Sequence, residues 1–220
     1  MTTSAPSATP HETLVERYAA MAHTFEPRPV DPLLRALDVA IALAALAILW
    51  PVLAVAALAV AVTGRPILYR GQRVGRGGAI YTMYKFRTLR ADAETRIGPF
   101  YGPHLTELTS AEQTAVGRVL RATKVDELPQ LFNVLLGDMS IVGPRPIRPK
   151  FFEELCLEIP AYWQRLVVRP GITGFAQLRL GREESWAEKL AHDFEYIADR
   201  SVRLYLEVVT QTALYVLGRR

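Results

Sequence analysis

The strongest constraint on the fold is a run of 24 residues, 39–62, that contains no charged side chain. The run is rich in Ala, Leu and Val around its whole circumference, so as a helix it has no polar face to turn towards water. A helix that is apolar all round is stable in a protein core or in a lipid bilayer. The length of the run favours the bilayer, because about 20 apolar residues are enough to cross a membrane as a helix.

Pro51 divides this run into two halves of 12 residues, 39–50 and 51–62. As helices the halves are each about 18 Å long, whereas the hydrocarbon core is about 30 Å thick. Two architectures follow from this. One is a kinked transmembrane span in which neighbours or water satisfy the carbonyl that the proline leaves free. The other is a re-entrant hairpin of two half-helices that enters and leaves on the same face of the membrane.

The charges beside the run place its carboxyl end in the cytoplasm but do not choose between these architectures. The basic residues that follow it predict a cytoplasmic location; they are Arg65, Arg70, Arg73, Arg76, Lys85, Arg87 and Arg90. Arg28 and Arg35 precede the run, among three acids. A hairpin would bring Arg35 to the cytoplasmic face as well, where it would meet phosphate headgroups.

The composition fits one sizeable domain joined to this membrane element. The 220 residues are half hydrophobic and carry a net charge of +4, which favours anionic partners such as phosphates or lipid headgroups. The single cysteine, Cys156, cannot form an internal disulfide, as is typical of a reducing compartment. The four histidines are scattered without metal-ligand spacing, which argues against a zinc site.

The remaining periodicities predict an α+β fold that is predominantly helical. Residues 67–70 and 80–84 are expected to form two short strands around a glycine-rich turn. Residues 98–109 are expected to form a loop, 169–174 a turn and 175–178 a short extended piece. Helices are expected from Ser110 to Arg121 and over 151–159, 186–199 and 202–217.

The most specific stretch is 123–137, followed by Gly143-Pro144-Arg145-Pro146. Leu128, Leu131, Phe132 and Leu135 recur at helical spacing, so the stretch predicts an amphipathic helix over 126–136 with these four on the core face and a stop at Gly137. Thr123 would cap it, and the positive end of the helix dipole would keep Asp126 ionised and favour a nearby phosphate. Judged locally, however, an acid in a first turn is usually only a cap, and Arg145 could be a rigid surface turn.

A second basic element lies at the end of the predicted hairpin, in Lys85-Phe86-Arg87. Two cations around an aromatic ring suit a phosphate or nucleotide site, while a basic interfacial rim is an equally good reading. The glycines of the hairpin do not form a dinucleotide-binding fingerprint, because no helix opens after them.

Taken in order, these segments resemble the bacterial sugar transferases, the monotopic phosphoglycosyl transferases. The segments are the apolar run, YRGQRVGRGGAIYTMYKFRT, DELPQLFNVLLGDMS with GPRP, and RPGITGFAQL. The resemblance covers about residues 31–220. It implies transfer of a sugar-1-phosphate from a UDP-sugar to undecaprenyl phosphate with release of UMP, through a covalent aspartyl-phosphosugar intermediate, at the start of surface polysaccharide synthesis. It also favours the re-entrant helix-break-helix.

The resemblance assigns roles to particular residues. Asp126 matches the family's nucleophile, and Glu127 matches the second acid, which either positions a metal or acts as a base. With Asp126 it would hold Mg²⁺. Substrate contacts are expected from Lys85, Arg87, Arg121, Pro144 and Arg145, because guanidinium groups suit phosphate. Membrane or lipid contacts are expected at Arg35, Asp38, Trp50 and Pro51.

The chain departs from the family pattern at three positions. Many members break the membrane helix at Ser-Pro, where this chain has Trp50-Pro51, and an indole cannot bond a freed carbonyl as a serine hydroxyl does. Members often carry Trp or Leu in place of Phe175. Many carry an acid in the last helix, about where Tyr205 stands.

The resulting prediction has three parts: a tail over 1–30, which does not read as a secretory signal, a re-entrant membrane helix over 31–64, and a compact cytoplasmic catalytic domain with interfacial helices over 65–220. The expected location is the cytoplasmic face of the bacterial inner membrane, and the expected partners are the UDP-sugar, undecaprenyl phosphate and phospholipid. No nucleic-acid partner is expected. A homodimer is compatible with the sequence, which fixes neither the oligomeric state nor the sugar. The alternatives are a nucleotide-sugar hydrolase and a non-enzymatic basic adaptor that binds anionic lipid.

Overall fold

The computed structural model describes residues 28–90, 92–93, 108–181, 184–216 and 218. The described part is predominantly helical with a small antiparallel hairpin, which confirms the predicted α+β class. Most of the predicted tail and most of the loop predicted over 98–109 lie outside the described residues. The helices are α1 (Asp31–Val62), α2 (Ala115–Thr123), α3 (Gln130–Leu136), α4 (Pro149–Glu158), α5 (Phe175–Arg179), α6 (Trp186–Asp199) and α7 (Val202–Val216); the strands are β1 (Leu68–Val74), β2 (Ile80–Phe86), β3 (Ser140–Val142) and β4 (Gly171–Thr173).

Helix α1 is a single helix of 32 residues that contains Pro51. The predicted separation into two half-helices is therefore not confirmed. Proline removes one backbone donor and clashes with the carbonyl four residues earlier. In a long helix the hydrogen bonds of the neighbouring turns can keep the helix continuous across the proline. Among the described residues, α1 is the one helix long and apolar enough to cross a membrane, by length and composition alone.

The amino half of α1 is fixed to the main core of the globular domain. Leu34 and Ala42 are buried in that core. Arg35 donates to the carbonyl oxygens of Val134 at 2.7 Å and Leu135 at 3.3 Å, in the last turn of α3. The Arg35 side chain stays partly exposed, and its predicted headgroup contact stays a prediction. The carbonyls at a helix end lack partners within the helix, and a cation satisfies them well.

Asp38 is buried and does not face lipid. Its Oδ1 atom accepts hydrogen bonds of 2.8 Å from the Ser140 hydroxyl, the Ile141 backbone N–H and the Tyr205 hydroxyl. A carboxylate in an apolar interior requires such donors. The lipid contact predicted for Asp38 is thus replaced by a junction that joins α1, β3 and α7.

The carboxyl half of α1 packs on the same globular body. Ala56 and Val60 are buried against Phe86 and Leu120. Between the two packed halves the apolar surface is open: Ile48 is 73% exposed and Trp50 is 65% exposed. Both ends of α1 are therefore attached to one domain, while its middle presents unpaired hydrophobic surface.

The predicted hairpin is confirmed, with strands longer than expected. β1 and β2 pair antiparallel from Leu68 opposite Phe86 to Val74 opposite Ile80. The tight connection passes through Gly77, whose φ of 68° lies in the left-handed region that suits glycine. The register places Lys85 near the end of β2.

A short parallel pair, β3 with β4, brings the 143–146 segment beside the 169–174 segment. The backbones approach so closely that a Cβ at Gly171 would lie 2.1 Å from the Gly143 nitrogen. The Gly171 N–H donates to the Pro144 carbonyl at 2.9 Å. Both segments are therefore held by backbone contacts that only glycine permits.

Several local predictions need correction. The turn predicted over 169–174 contains β4, and the piece predicted as extended over 175–178 is helix α5. α2 begins after a Thr114 cap rather than at Ser110. Helices α4, α6 and α7 agree with prediction to within about two residues where they are described, and a capping box at Ser185 begins α6.

We expect Tyr205→Phe to destabilise the protein by about 1–3 kcal/mol, because the change removes one of the three donors to the buried Asp38 carboxylate. Thermal unfolding of detergent-solubilised protein measures this. Thr210→Val removes an exposed hydroxyl on the same helix and is the matched control. Equal unfolding temperatures for Tyr205→Phe and wild type would show that the Asp38 junction does not hold α1.

Candidate active site

Asp126 lies in a 3₁₀ turn, Val125–Glu127, between α2 and α3. α2 ends at Lys124, whose φ of 61° reverses the chain direction. Asp126 is 7% exposed, and its Oδ1 atom has no hydrogen-bond partner among the described residues. A buried, unpaired carboxylate oxygen is costly to the fold, so its retention points to a chemical role.

The local structure differs from the predicted helix over 126–136. α3 starts only at Gln130, and the Thr123 hydroxyl donates back to Val119 and Leu120 instead of capping it. The predicted stabilisation of ionised Asp126 by a helix end is therefore wrong. Burial first, and then the neighbouring Glu127, raise the pKa of Asp126 against the opposing charges of Lys85, Arg121 and Lys124.

Glu127 is held by Lys85, whose Nζ lies 2.8 Å from the Glu127 Oε1 atom. Burial works to raise the pKa of Glu127, but the charges of Lys85 and Arg145 outweigh it and the pKa is lowered. Burial lowers the pKa of Lys85, while Glu127 opposes that shift. The pair places one anion and one cation beside Asp126.

Arg121 and Arg145 complete the charged cluster. The Arg121 Nε donates to the Thr88 hydroxyl at 2.9 Å, and the charge of Arg121 acts on Asp126. Arg145 is exposed, and its charge acts on Lys85 and Glu127. Within the described part of the chain, no group hydrogen-bonds the Arg145 guanidinium. The structure thus brings together five of the predicted site residues around one turn.

Arg87, predicted to contact substrate, is buried at a different place. Its guanidinium donates to one hydroxyl and four carbonyls at the carboxyl end of α1 and beside β2, namely Thr63, Val60, Gly64, Pro66 and Leu89. With its donors engaged in this way, Arg87 is better suited to anchoring the end of α1 than to binding phosphate. Its predicted substrate contact stays a prediction.

Two supporting groups were not found from the sequence. Arg165 and Asp193 form an ion pair of 2.7 Å with side chains only 4% and 5% exposed, and the Arg165 Nη2 also donates to the Arg145 carbonyl at 3.0 Å. This contact fixes the backbone that carries the Arg145 guanidinium. The available signal was an acid, Asp193, within the apolar stripe of α6 that contains Leu190 and Tyr196.

Asn133 is the second supporting group. Its Oδ1 accepts from the Tyr84 N–H at 2.9 Å and its Nδ2 donates to the Thr82 carbonyl at 2.7 Å. These bonds join α3 to β2. They therefore set the distance between the 3₁₀ turn that contains Glu127 and strand β2, which contains Lys85. Asp138 accepts a weaker bond from Asn133 at 3.2 Å, as a helix-end contact.

The residues present fit a Mg²⁺ ion held partly by substrate. Among the described residues no group of three or more His, Cys, Asp and Glu side chains could hold a metal. Mg²⁺ commonly takes only one or two carboxylates and completes its shell with water and substrate phosphate. Asp126, with its unbonded Oδ1, and Glu127 supply that minimum.

Comparison with known proteins agrees with this geometry. The family model described as bacterial sugar transferase matches residues 31–219. The chain belongs to the bacterial sugar transferase family. The resemblance noted from the sequence motifs is therefore confirmed, and so is the predicted class of enzyme, a sugar-phosphate transferase.

Individual relatives differ in length and in the sugar that they carry. The chain is 40% identical over 191 residues to a UDP-glucose:undecaprenyl-phosphate glucose-1-phosphate transferase of Caulobacter vibrioides, covering 83% of this chain and 69% of the relative. It is 36% identical over 187 residues to a UDP-N-acetylgalactosamine-undecaprenyl-phosphate N-acetylgalactosaminephosphotransferase of Aeromonas hydrophila, covering 83% of this chain and 43% of the relative. The chain thus spans less than half the length of some relatives.

We expect Asp126→Asn to raise the unfolding temperature at pH 7.5, because it removes a buried charge whose pKa is raised in the fold. Ionised Asp126 costs stability only above the unfolded pKa, and the cost is complete above the folded pKa. The gain from the substitution should therefore shrink as the pH falls towards about 4. Thermal scans across this range measure it. A gain that grew on acidification would contradict the raised pKa.

Proposed function

We propose that the protein transfers a sugar-1-phosphate from a UDP-sugar to undecaprenyl phosphate, releasing UMP, at the cytoplasmic face of the membrane. The observation that carries this proposal is the buried Asp126 carboxylate, which has one unpaired oxygen and lies within reach of the charges of Lys85 and Arg121. That arrangement provides a nucleophile next to groups that bind anions. The activities of the named relatives support the choice of donor and acceptor.

In the first step, the Asp126 carboxylate attacks the sugar-bearing phosphorus of the donor. A phosphorus–oxygen bond to Asp126 forms, the bond to UMP breaks, and UMP leaves with the electron pair. The product is an acyl-phosphate that carries the sugar. Ionisation of Asp126 is required, and its loss of solvent contacts makes the carboxylate less hydrated and more reactive.

In the second step, a phosphate oxygen of the prenyl acceptor attacks the same phosphorus. The bond to Asp126 breaks, the carboxylate is regenerated, and a prenyl diphosphate sugar is released. No net proton transfer is needed when the acceptor phosphate is already deprotonated. Glu127, with its lowered pKa and its Lys85 partner, is then better suited to orientation and cation binding than to base catalysis.

The cations disperse the charge that moves during both steps. Lys85 and Arg121 surround Asp126, and the exposed guanidinium of Arg145 is available for bidentate contact with a phosphate. Mg²⁺ bound by Asp126 and Glu127 would neutralise diphosphate charge when present. Pro144 holds the loop of Arg145 through its carbonyl bond to Gly171.

The attachment of α1 supports a re-entrant placement. Arg35 and Asp38 at one end, and Val60 and Gly64 at the other, contact the same globular domain. A helix that crossed the bilayer would place these ends on opposite sides of the membrane. We therefore propose that both flanks of α1 lie in the cytoplasm and that the exposed middle, around Trp50 and Pro51, dips into lipid.

Cysteine labelling in whole cells tests the topology. In a Cys156→Ser background, single cysteines at Arg28 and Arg65 should both resist a membrane-impermeant maleimide until the cells are permeabilised. A cysteine in a periplasmic loop of a known membrane protein is the labelling control. Labelling of Arg28→Cys in intact cells would establish a transmembrane span instead.

Donor-only incubation tests the covalent step. With UDP-sugar and Mg²⁺ but no acceptor, the wild-type protein should release UMP and gain the mass of one sugar-phosphate. Asp126→Asn keeps the side-chain size but lacks the nucleophile, so both signals should disappear, whereas Glu127→Gln should slow the reaction by about 10²-fold or more. Intact-protein and peptide mass spectrometry measure the adduct.

Two results would contradict the proposal. An adduct that persists in Asp126→Asn or maps to Glu127 would show that a residue other than Asp126 is the nucleophile. Continuous UMP release without acceptor and without an accumulating adduct would favour the nucleotide-sugar hydrolase. The relatives act on different sugars according to their names, so the screen should include UDP-glucose, UDP-galactose and UDP-N-acetylgalactosamine.

A further inference from the structure

An apolar groove of about 530 Å³ lies between α1 and α2. The α1 wall includes Pro51, Val55 and Ala59, which recur every four residues and so share one helix face. The α2 wall includes Val116 and Val119, also on one face. The side chains that line it are nearly all hydrocarbon.

The position of the groove connects two regions with different chemistry. Pro51 belongs to the exposed middle of α1. At the other side the lining includes Val125, the residue immediately before Asp126. Arg121 and Lys124, whose charges act on Asp126, occupy the same end of α2. The groove therefore extends from membrane-facing hydrocarbon to the edge of a cationic catalytic cluster.

We propose that this groove binds the phosphate-proximal prenyl units of the lipid acceptor and aims its phosphate at Asp126. The proposal rests on the proposed function and adds to it the site at which the acceptor is held. The α1 wall from Pro51 to Ala59 is about 12 Å long. Only the first part of a long prenyl chain fits that length, and the remainder would lie in the bilayer.

Charge complementarity favours this occupant over other lipids. A prenyl monophosphate is a single hydrocarbon chain that ends in an anionic group, which matches an apolar groove whose lining reaches Val125, beside the cations that act on Asp126. A bilayer phospholipid has two chains and a phosphate esterified on both sides, so it matches the groove and the cations less well. Val119 is 61% exposed, so no other part of the described protein covers the α2 side of the groove at this residue.

Two pairs of substitutions test the groove through acceptor kinetics. Ala59→Phe fills it from α1 and Val119→Lys places a charge in it from α2. Ala54→Phe and Ala122→Lys are the matched controls, since both positions are exposed on the same helices and neither lines the groove. We expect the groove variants to raise the KM for undecaprenyl phosphate by about tenfold or more, through lost burial of prenyl carbons, and the controls by less than about twofold.

The loss should fall on the acceptor half-reaction. UMP release with donor alone, measured in the same preparations, serves as the reference for folding and for the donor site. Equal KM values for the groove variants and their controls, in an enzyme that turns over normally, would overturn the groove while leaving the proposed function intact. A groove variant whose donor-only reaction falls as much as its acceptor reaction would also overturn it.

Photo-crosslinking supplies a readout that does not depend on turnover. Undecaprenyl phosphate carrying a diazirine in its first prenyl unit should label peptides from α2 and the second half of α1. Unlabelled undecaprenyl phosphate should compete in micelles far better than phosphatidylglycerol does. Equal competition by phosphatidylglycerol would make the groove a general lipid contact. Labelling elsewhere would show that the groove does not hold the acceptor. Labelling as expected without any sugar transfer would refute the proposed reaction but retain the groove.

Discussion

The structure depends on the attachment of one apolar helix to the catalytic domain at both of its ends. At the amino end the buried Asp38 carboxylate collects three donors from β3 and α7. At the other end the Arg87 guanidinium binds carbonyls of the last turn of α1 and the residues beyond it. Both are polar interactions in low-dielectric surroundings, where a lost partner is expensive. They restrain how α1 can be placed in a bilayer without making its middle any less apolar.

The same attachment sets the position of the Asp126 carboxylate relative to α1. α2 and the carboxyl half of α1 pack together through Leu120 and Val60, and Asp126 follows α2 by three residues. Asp126 therefore lies close to the carboxyl half of α1. Its burial and its close acid neighbour raise its pKa, and nearby cations only partly compensate.

The sequence predicted elements where the local signal and the tertiary context agree. The amphipathic α6 begins at a Ser185 capping box, and the hairpin shows alternation around a glycine turn. The prediction failed around Asp126, because the chain enters residues 125–127 as a 3₁₀ turn through the left-handed Lys124 and α3 begins only at Gln130. It failed at Asp38 for a related reason. Charged residues beside an apolar run suggest headgroup contacts, and nothing local identifies partners about a hundred residues away.

The sequence identified the acidic and basic residues of the candidate site, but it did not identify the contacts that each of them makes. Lys85 and Arg87 are two positions apart and both basic, yet Lys85 pairs with Glu127 while Arg87 secures the end of α1. Strand geometry turns positions i and i+2 to the same face, so alternation does not separate them. Arg87 lies one residue beyond β2, where its backbone N–H still donates to the Ile67 carbonyl at 2.9 Å, and its side chain reaches the carbonyls at the end of α1. Only their distant partners distinguish the two cations, Glu127 for Lys85 and the carbonyls at the end of α1 for Arg87, and no local pattern identifies such partners.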